Sequence, residues 1–431
     1  MVSIEWDEEK LQYAKIASAK RCNGGVKMQL GWIDFSKTER NKILSVLDLL
    51  SQDGTLDELG IAPVRDGFSN LFFPGTSTIQ TRAKYFLLVP YALKELELSE
   101  ETNPNKMLRE LNEIERECGE ILLEQNRDEN GIIGKRSLQN GRWVKRTPAD
   151  IYWAGLRKYG IFTGGNISLT EYVRASCALK RQKSTLSKLG NRNDSAEENE
   201  TDDKNAGNLF KMQFWKMPLY NDCWYDNIQM QLTTAEGAFL KEQIILNCPD
   251  TILSYILDNN ITEVLDLESF MDLSAIIDKF PQEMQDDYYL ALSFSDFMLV
   301  ARTLYNVMIS DEQNEYANEV FELLKEEMGE RADIDLDSIM QRLYIYKTDL
   351  KNFLKQLQTC MKNQDIDGMK KVIYSREVML KGVNRAKTAH PGEFNNDEWY
   401  GGKDLDYRFN NAKTIIRDIF ESEGLINVKS E

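Results

Sequence analysis

Residues 147–160 have the sequence TPADIYWAGLRKYG, which is typical of an α-helix packed against a core. Thr147-Pro148 marks the start, because proline lacks the N–H donor that would stay unused at the first helical position. Tyr152 and Trp153 lie among apolar residues at helical spacing, which favours a buried face over a platform for stacking bases. The pattern predicts a helix over about 148–159.

Similar start signals recur along the chain. Capping boxes, in which a hydroxyl residue is followed three positions later by glutamate, lie at Ser168–Glu171, Thr233–Glu236 and Ser36–Glu39. Apolar periodicity predicts further helices at about 79–96, 106–125, 287–309, 312–328, 336–361, 366–381 and 404–422. Short β-like pieces are expected only near 29–35, 131–133 and 143–145. The fold class is therefore mainly α, a multi-helix protein with a few short strands.

One stretch has the composition of a linker. Gly190–Gly207 carries six carboxylates and no side chain larger than Ala that could anchor it in a core. Such a segment cannot repay its ordering entropy and is expected to be flexible. It divides the chain into an N-terminal helical domain, 1–189, a flexible acidic linker, 190–207, and a C-terminal acidic helical bundle, 208–431. The bundle is suited to contacts with a protein partner.

Several classes of protein and site are excluded by composition. The longest apolar run, Tyr85–Leu93, is too short to cross a bilayer, and the acidic start lacks the features of a secretory signal. The six cysteines show no C-x-x-C pair, which argues against zinc knuckles and a disulfide framework. His390 is the only histidine, so paired-His metal sites are excluded. We expect a cytoplasmic protein with no cofactor, no bound metal and no membrane partner.

The strongest anomaly is a basic window, residues 135–192. It contains thirteen Lys/Arg and two carboxylates, a net charge of +11, in a chain of net charge −17. Segregation on this scale favours a polyanion partner, and DNA is the expected form. A hairpin over 131–145 and a helix-turn-helix or winged-helix-like pair at 148–159 and 168–189 would present the cations. The alternative is a solvated basic face. The predicted phosphate contacts are Arg142, Lys145, Arg146, Arg157, Lys158, Arg174, Lys180, Arg181 and Lys183.

A second candidate site is the loop that precedes the predicted helix at 79–96. A glycine and three hydroxyls at a helix N-terminus suit an anion, and two cations follow. The candidate anion-binding residues are Gly75, Thr76, Ser77, Arg82 and Lys84. The loop lacks the Lys-Ser/Thr of a P-loop, and ordinary helix capping by Thr76 or Ser77 is the alternative.

Paired charges near both ends of the chain allow two interpretations. Arg65-Asp66 and Asp404–Arg408 place charged groups beside apolar ones. They could form ion pairs between segments, or Asp66 or Asp406 could bind Mg²⁺. Ion pairing between segments is the favoured interpretation. The sequence identifies no catalytic residue.

Four segments of the chain form a recognisable set. They are GWIDFS at 31–36; Arg65-Asp66 with FPGTSTIQTRAKY at 73–85; IYWAGL at 151–156 with YGI at 159–161; and LDYRF at 405–409. The set resembles the bacterial domain-of-unknown-function family numbered six-three-six-one, over about residues 29–422. Lys84 and Phe409 are mild departures from its pattern. The motif residues besides the loop are Arg65, Asp66, Trp153, Asp406, Tyr407 and Arg408.

The resemblance implies a setting and no activity. Members of the family lie near helicase and nuclease genes in bacterial phage-defence or mobile-element loci, which implies nucleic acid and protein partners in a defence complex. Three hypotheses follow. The chain is a non-catalytic nucleic-acid-binding accessory subunit; or a phosphate-handling or Mg²⁺-dependent enzyme that uses the 74–78 loop; or a structural adaptor.

Overall fold

The computed structural model describes residues 57–190, 214–218, 224–393 and 404–426. By backbone contacts the chain divides into a unit 1–44 and a unit 45–431, and all described residues belong to the second. The strand predicted at 29–35, the capping box at Ser36–Glu39 and nearly all of the predicted linker lie outside the described residues. The predicted division at that linker stays a prediction.

The described residues form a helical protein without a β-sheet. The fifteen α-helices are α1 Ala62–Phe72, α2 Tyr85–Leu98, α3 Pro104–Gln125, α4 Lys135–Gln139, α5 Pro148–Lys158, α6 Leu169–Gly190, α7 Thr234–Asn247, α8 Ile252–Asp258, α9 Gln282–Ile309, α10 Glu315–Glu326, α11 Met328–Arg331, α12 Leu336–Arg342, α13 Thr348–Lys362, α14 Ile366–Lys381 and α15 Phe409–Ser422. Short 3₁₀ helices join several of them, mainly between α8 and α9. The mainly α prediction is confirmed.

Local signals placed most helix starts correctly. Thr147 and Asp150 form a capping box at α5, where Pro148 takes the first helical position. The Glu171 carboxylate accepts from the Ser168 N–H at 2.7 Å, and the Glu236 carboxylate accepts from the Thr233 N–H at 2.8 Å. Each contact satisfies a backbone donor that has no partner inside the helix.

The predicted strands at 131–133 and 143–145, and the hairpin joining them, are wrong. Gly134 has a φ of 76°, and this left-handed residue turns the chain directly into α4. The helix ends at Gln139, and the Arg142 N–H then donates to the Ser137 carbonyl at 2.8 Å. A short helix and a turn therefore occupy the residues that were predicted to form the hairpin. In the described chain the one β-like contact is an isolated bridge between Phe162 and Trp215.

Several predicted helix bounds are also wrong: α9 begins at Gln282 rather than near 287, and α15 begins at Phe409 rather than near 404. Two further differences have a clear structural cause. The helix expected from residue 79 begins at Tyr85, because residues 77–84 form turns held by side chains from elsewhere. The helix expected over 336–361 is two helices, α12 and α13, separated where Tyr344 adopts a φ of 54°. A left-handed residue with a side chain ends a helix because it breaks the hydrogen-bonding pattern.

Helix α2 is the centre of the N-terminal part. Its residues Tyr85–Leu93 are all buried, and it packs against α3 and α5. Helix α3 in turn packs against α6. In the C-terminal part α9 contacts α10 and α14, and α15 packs against α7. Apolar residues from all of these helices form one buried cluster. The basic helix pair α5 and α6 is therefore mounted on the core through α2 and α3.

A buried carboxyl lies under the start of α5. Glu115 on α3 is 5% exposed, and its Oε1 accepts from the Ala149 N–H at 2.5 Å. Burial raises the pKa of Glu115 to about 8, although hydrogen bonds from Thr147 and Ala149 act in the opposite direction. The carboxyl is therefore protonated at neutral pH in the folded protein. The unfolded chain loses this proton near the ordinary glutamate pKa of about 4.3.

Replacing Glu115 with glutamine should change the dependence of stability on pH. Between about pH 4.5 and 8 the folded state holds one proton more than the unfolded state, so wild-type stability falls as the pH rises, by up to about 1.4 kcal/mol per pH unit. Glu115→Gln cannot ionise, so its stability relative to wild type should rise across that window. Urea unfolding at several pH values measures the difference. Glu113→Gln, an exposed change on the same helix, is the control. Parallel curves for wild type and Glu115→Gln would show that Glu115 does not titrate as stated.

Candidate nucleic-acid interface

The basic window is largely at the surface. The structure describes the side chains of eleven of its thirteen cations, and eight of these are exposed. The exposed set is Arg136, Arg142, Lys145, Arg146, Lys158, Arg174, Arg181 and Lys183. Lys135, Arg157 and Lys180 are half-buried. Most of the predicted phosphate contacts are thus accessible to a partner.

Helices α5 and α6 bring two of these cations together. Arg157, in the last turn of α5, donates to the Asn166 side chain just before α6. Arg157 and Arg174 both act on Glu171 in the first turn of α6, whose pKa is lowered mainly by the hydrogen bonds from Ser168 and further by these cations. The end of α5 and the start of α6 therefore share one cationic surface.

The connection between α5 and α6 is packed rather than loose. Phe162 is buried against Trp153 and Tyr172, with ring centroids 4.7 and 5.4 Å apart. The Trp153 indole N–H donates to the Ile167 carbonyl at 2.9 Å. Trp153 is therefore a buried anchor, as its spacing indicated. Because Phe162 and Ile167, near the two ends of the α5–α6 connection, both contact Trp153, the connection fixes the two helices relative to each other.

Two of the nine predicted phosphate contacts, Lys180 and Arg181, donate to backbone carbonyls outside α6. The Lys180 ammonium donates to the Leu96 carbonyl at the end of α2 and to the Glu101 carbonyl at 3.0 Å. Burial lowers the Lys180 pKa. The Arg181 guanidinium donates to the Thr102 carbonyl at 2.5 Å. These cations satisfy carbonyls at the C-terminus of α2, which attaches α6 to the α2–α3 turn.

Four of the predicted phosphate contacts illustrate cations whose charge no neighbouring carboxylate balances. Within the described ranges, Arg142, Lys145, Lys158 and Lys183 form no ion pair. All four are exposed. A phosphate approaching them would displace only water and counterions, which is the condition for salt-dependent binding.

The predicted anion loop makes its hydrogen bonds internally. The Ser77 N–H donates to the Gln80 side chain at 3.1 Å, and the Gln80 amide donates to the Gly75 carbonyl at 3.1 Å. The Thr76 hydroxyl donates to the Phe73 carbonyl at 2.6 Å. The N–H groups of Thr81 and Arg82 donate to the Tyr152 hydroxyl of α5. These backbone donors are occupied, and no helix starts at this loop.

The two cations of the loop lie against carboxylates. Arg82 Nε is 2.9 Å from Asp418 Oδ1 on α15, and Arg82 Nη1 is 2.5 Å from Glu129 Oε1. Lys84 Nζ is 2.7 Å from Glu236 Oε2 on α7. Sequence reasoning missed all three carboxylates. The available signal was Asp418 on the apolar stripe of α15, where an unpaired charge would be costly.

Two glycines let the loop approach α5 closely. A Cβ at Gly155 would lie 2.5 Å from the Gly75 carbonyl oxygen. A Cβ at Gly75, where φ is 82°, would lie 2.5 Å from the Tyr159 ring. Only a residue without a side chain fits at either position. This contact explains physically why glycine stands in both motif segments.

The remaining motif residues form a buried junction between the ends of the described chain. Asp66 lies 3.1 Å from Arg65 and 3.6 Å from Arg408. Arg408 also donates to Asn70 and to the Thr76 carbonyl, at 2.8 and 2.9 Å. The ion pair between segments is therefore present.

The two neighbours of Arg408 have structural contacts as well. The Tyr407 hydroxyl donates to the Ala291 carbonyl on α9 at 2.7 Å, and its ring packs on Phe68. Asp406 accepts from the Asn410 N–H at the start of α15 at 3.2 Å. Trp153 lies in a separate aromatic cluster around Phe162.

No group of three or more His, Cys, Asp or Glu in the described part of the chain could hold a metal ion. No described helix is long and apolar enough to cross a membrane.

Breaking the buried Lys84–Glu236 pair should be strongly destabilising. Lys84→Met leaves the Glu236 carboxylate buried without its cation, which costs about 3–5 kcal/mol. Lys84→Met combined with Glu236→Gln should recover much of this loss, because the amide oxygen can still accept from the Thr233 N–H while the amide NH2 donates to the Tyr91 oxygen. Urea unfolding measures both. Lys279→Met breaks the exposed pair with Glu263 and should cost at most about 1 kcal/mol. Equal losses in the single and double variants would contradict this account.

Comparison with known proteins gives one match, to the N-terminal part of the chain. No curated protein and no solved structure matches. The matching family model is described as a family of unknown function (DUF6361) and covers residues 27–189. It includes the loop at 73–85, both motif glycines and nearly all of the basic window, and it ends before the Asp406–Arg408 motif. The predicted resemblance is thereby confirmed for this region: residues 27–189 match the model of the family of unknown function DUF6361.

Proposed function

We propose that the protein is a non-catalytic nucleic-acid-binding subunit, with DNA as the expected partner. The observation that carries the proposal is the exposed cationic surface of the window 135–192, part of which no carboxylate balances. A patch of net charge +11 on a chain of net charge −17 concentrates phosphates where the rest of the molecule repels them. The residues proposed to contact phosphates are Arg142, Lys145, Arg146, Arg157, Lys158, Arg174 and Lys183.

The kind of contact follows from the side chains. Lysine and arginine at exposed positions neutralise phosphates, which positions a protein on a duplex without reading its sequence. Lys180 and Arg181 are occupied by carbonyls of the α2–α3 turn, so we assign them to holding α6 in place. The interface is therefore proposed to bind mainly through the backbone of the nucleic acid.

The cellular role is proposed from the family resemblance. An accessory subunit in a cytoplasmic phage-defence or mobile-element complex would bind nucleic acid through the window and a protein partner through the acidic C-terminal helices. The enzyme alternative has less support, because Arg82 and Lys84 lie against carboxylates and the N–H groups of Thr76 and Ser77 have internal acceptors.

Salt dependence tests the proposal directly. Replacing Arg142, Lys145, Lys158 and Lys183 together with glutamine removes four predicted phosphate contacts that form no ion pair in the described structure. If all four contact phosphates of a duplex, the slope of log affinity against log salt should become shallower by up to about 4, since each contact contributes about 0.9. Fluorescence anisotropy with labelled duplex and single strands measures both slopes.

The control removes the same number of positive charges elsewhere. Lys325, Lys355, Lys362 and Lys370 are exposed or half-buried lysines of the C-terminal helices, each beside a carboxylate. Their replacement by glutamine should leave the slope unchanged. Salt-insensitive binding, or equal effects of the two variants, would remove the proposal. A partner protein retained after nuclease treatment and lost in the window variant would instead support the adaptor.

A further inference from the structure

A small, partly open cavity lies far from the basic window along the chain. It is lined by Arg302 and Tyr305 on α9, by Leu405 just before α15, and by residues at and before the start of α1, which are Asp57, Glu58, Leu59, Ile61 and Arg65. Its volume is about 40 Å³. A water needs at least roughly 10–15 Å³ of such space, so the cavity holds about three waters or one ion of a few heavy atoms.

Arg302 is the unusual residue of this cavity. It is 5% exposed, and its Nε and Nη1 are buried without a hydrogen-bond partner. Its helical neighbours Ala301 and Leu304 are fully buried apolar residues. Sequence reasoning missed Arg302, although it is the one charge in the apolar run FMLVARTLYNVMI at 297–309.

The charged groups around the cavity leave Arg302 without a direct counterion. Asp57 accepts from the Ile61 and Ala62 N–H groups at 2.9 and 2.6 Å. Glu58 contacts Lys381 and Lys387. Each lining carboxylate thus has other partners, and Arg65 pairs with Asp66.

Charged groups that form no ion pair with Arg302 have smaller effects on its pKa than burial has. Asp404 and Asp57 favour the charged form of Arg302, while the neighbouring Arg65 disfavours it. Burial is the largest effect and lowers the Arg302 pKa to about 10. In the part of the chain that the structure describes, no carboxylate lies within 4 Å of Arg302.

A buried guanidinium without a counterion favours the binding of an anion. Taking a guanidinium out of water is costly unless an anion or several acceptors replace the water. Guanidinium binds the oxygens of phosphate, sulfate or carboxylate in a planar, two-point geometry. The cavity volume limits the ligand to a small oxyanion and excludes a nucleoside or a peptide.

We propose that the cavity binds a small oxyanion, phosphate or sulfate, held by Arg302. The anion joins three segments that are distant in sequence: the turn at 57–61 that begins α1, the middle of α9, and the residue before the Asp406–Arg408 motif. The bound anion thereby stabilises the packing of these three segments against one another. This site is independent of the nucleic-acid proposal, because none of the lining residues belongs to the basic window.

Thermal unfolding of the full chain in millimolar phosphate tests the site, with sodium chloride of equal ionic strength as the reference. A ligand that binds only the folded state raises the unfolding midpoint, and we expect a saturable rise of at least about 2 °C for wild type. Sulfate should act similarly. Isothermal titration with phosphate should give a single site.

Arg302→Met removes the charge and keeps an unbranched, flexible side chain. It should abolish the phosphate-specific rise, and without phosphate its midpoint should equal or exceed that of wild type, because a buried charge has been removed. Arg302→Lys keeps the charge without the planar fork and should weaken phosphate binding at least about tenfold. Arg142→Met makes the same chemical change at an exposed position of the basic window and should leave the rise unchanged.

Three results would overturn the proposal. One is a wild-type midpoint that phosphate raises no more than chloride does. Another is an equal rise in wild type and in Arg302→Lys. The third is a rise that Arg142→Met removes, which would place the anion on the basic window. If Arg302→Met fails to fold, the comparison of wild type with Arg302→Lys and Arg142→Met still decides among these results.

Discussion

The segment 73–84 has no helix or strand and is partly buried, and the rest of the described structure depends on how its buried polar groups are satisfied. Buried backbone outside helices and sheets needs hydrogen bonds from side chains, because no water reaches it. Tyr152 from α5, Arg408 before α15, and Asn411 and Asp418 on α15 supply them. The Arg82–Asp418 pair joins residues 336 positions apart in the chain. The fold therefore closes only when its two ends meet, which makes it rich in long-range contacts.

Buried ion pairs at this junction select a structure more than they add stability. The attraction between Lys84 and Glu236 is offset by the cost of removing both charges from water. A misplaced α7 or α15 would instead leave a charge buried alone, which is far more costly. Arg82, Lys84 and Arg408 thus discriminate against alternative packings of the same helices. This accounts physically for charged residues at positions that an apolar core would otherwise fill.

The sequence predicted the features that depend on residues close together in the chain. Capping at Thr147, Ser168 and Thr233 is local, so the starts of α5, α6 and α7 were predictable. The turns at 77–84 were not, because their partners lie on distant helices. The hairpin prediction was wrong because Gly134, with a φ of 76°, turns the chain into a helix. The sequence does not show this backbone angle. Composition located the basic window, but not the attachment of Lys180 and Arg181, since their partners are carbonyls that any residue carries.

Helix α5 links the buried junction to the proposed interface. One side of it holds the irregular segment, through the Tyr152 hydroxyl and the close approach of Gly155 to Gly75. Its last turn carries Arg157 and Lys158 to the surface beside α6. Because a helix is stiff over this length, the position of these two cations is set by the contacts of Tyr152 and Gly155. The basic surface is therefore positioned by the same interactions that close the fold, which is how an acidic protein can present a cationic patch of defined shape.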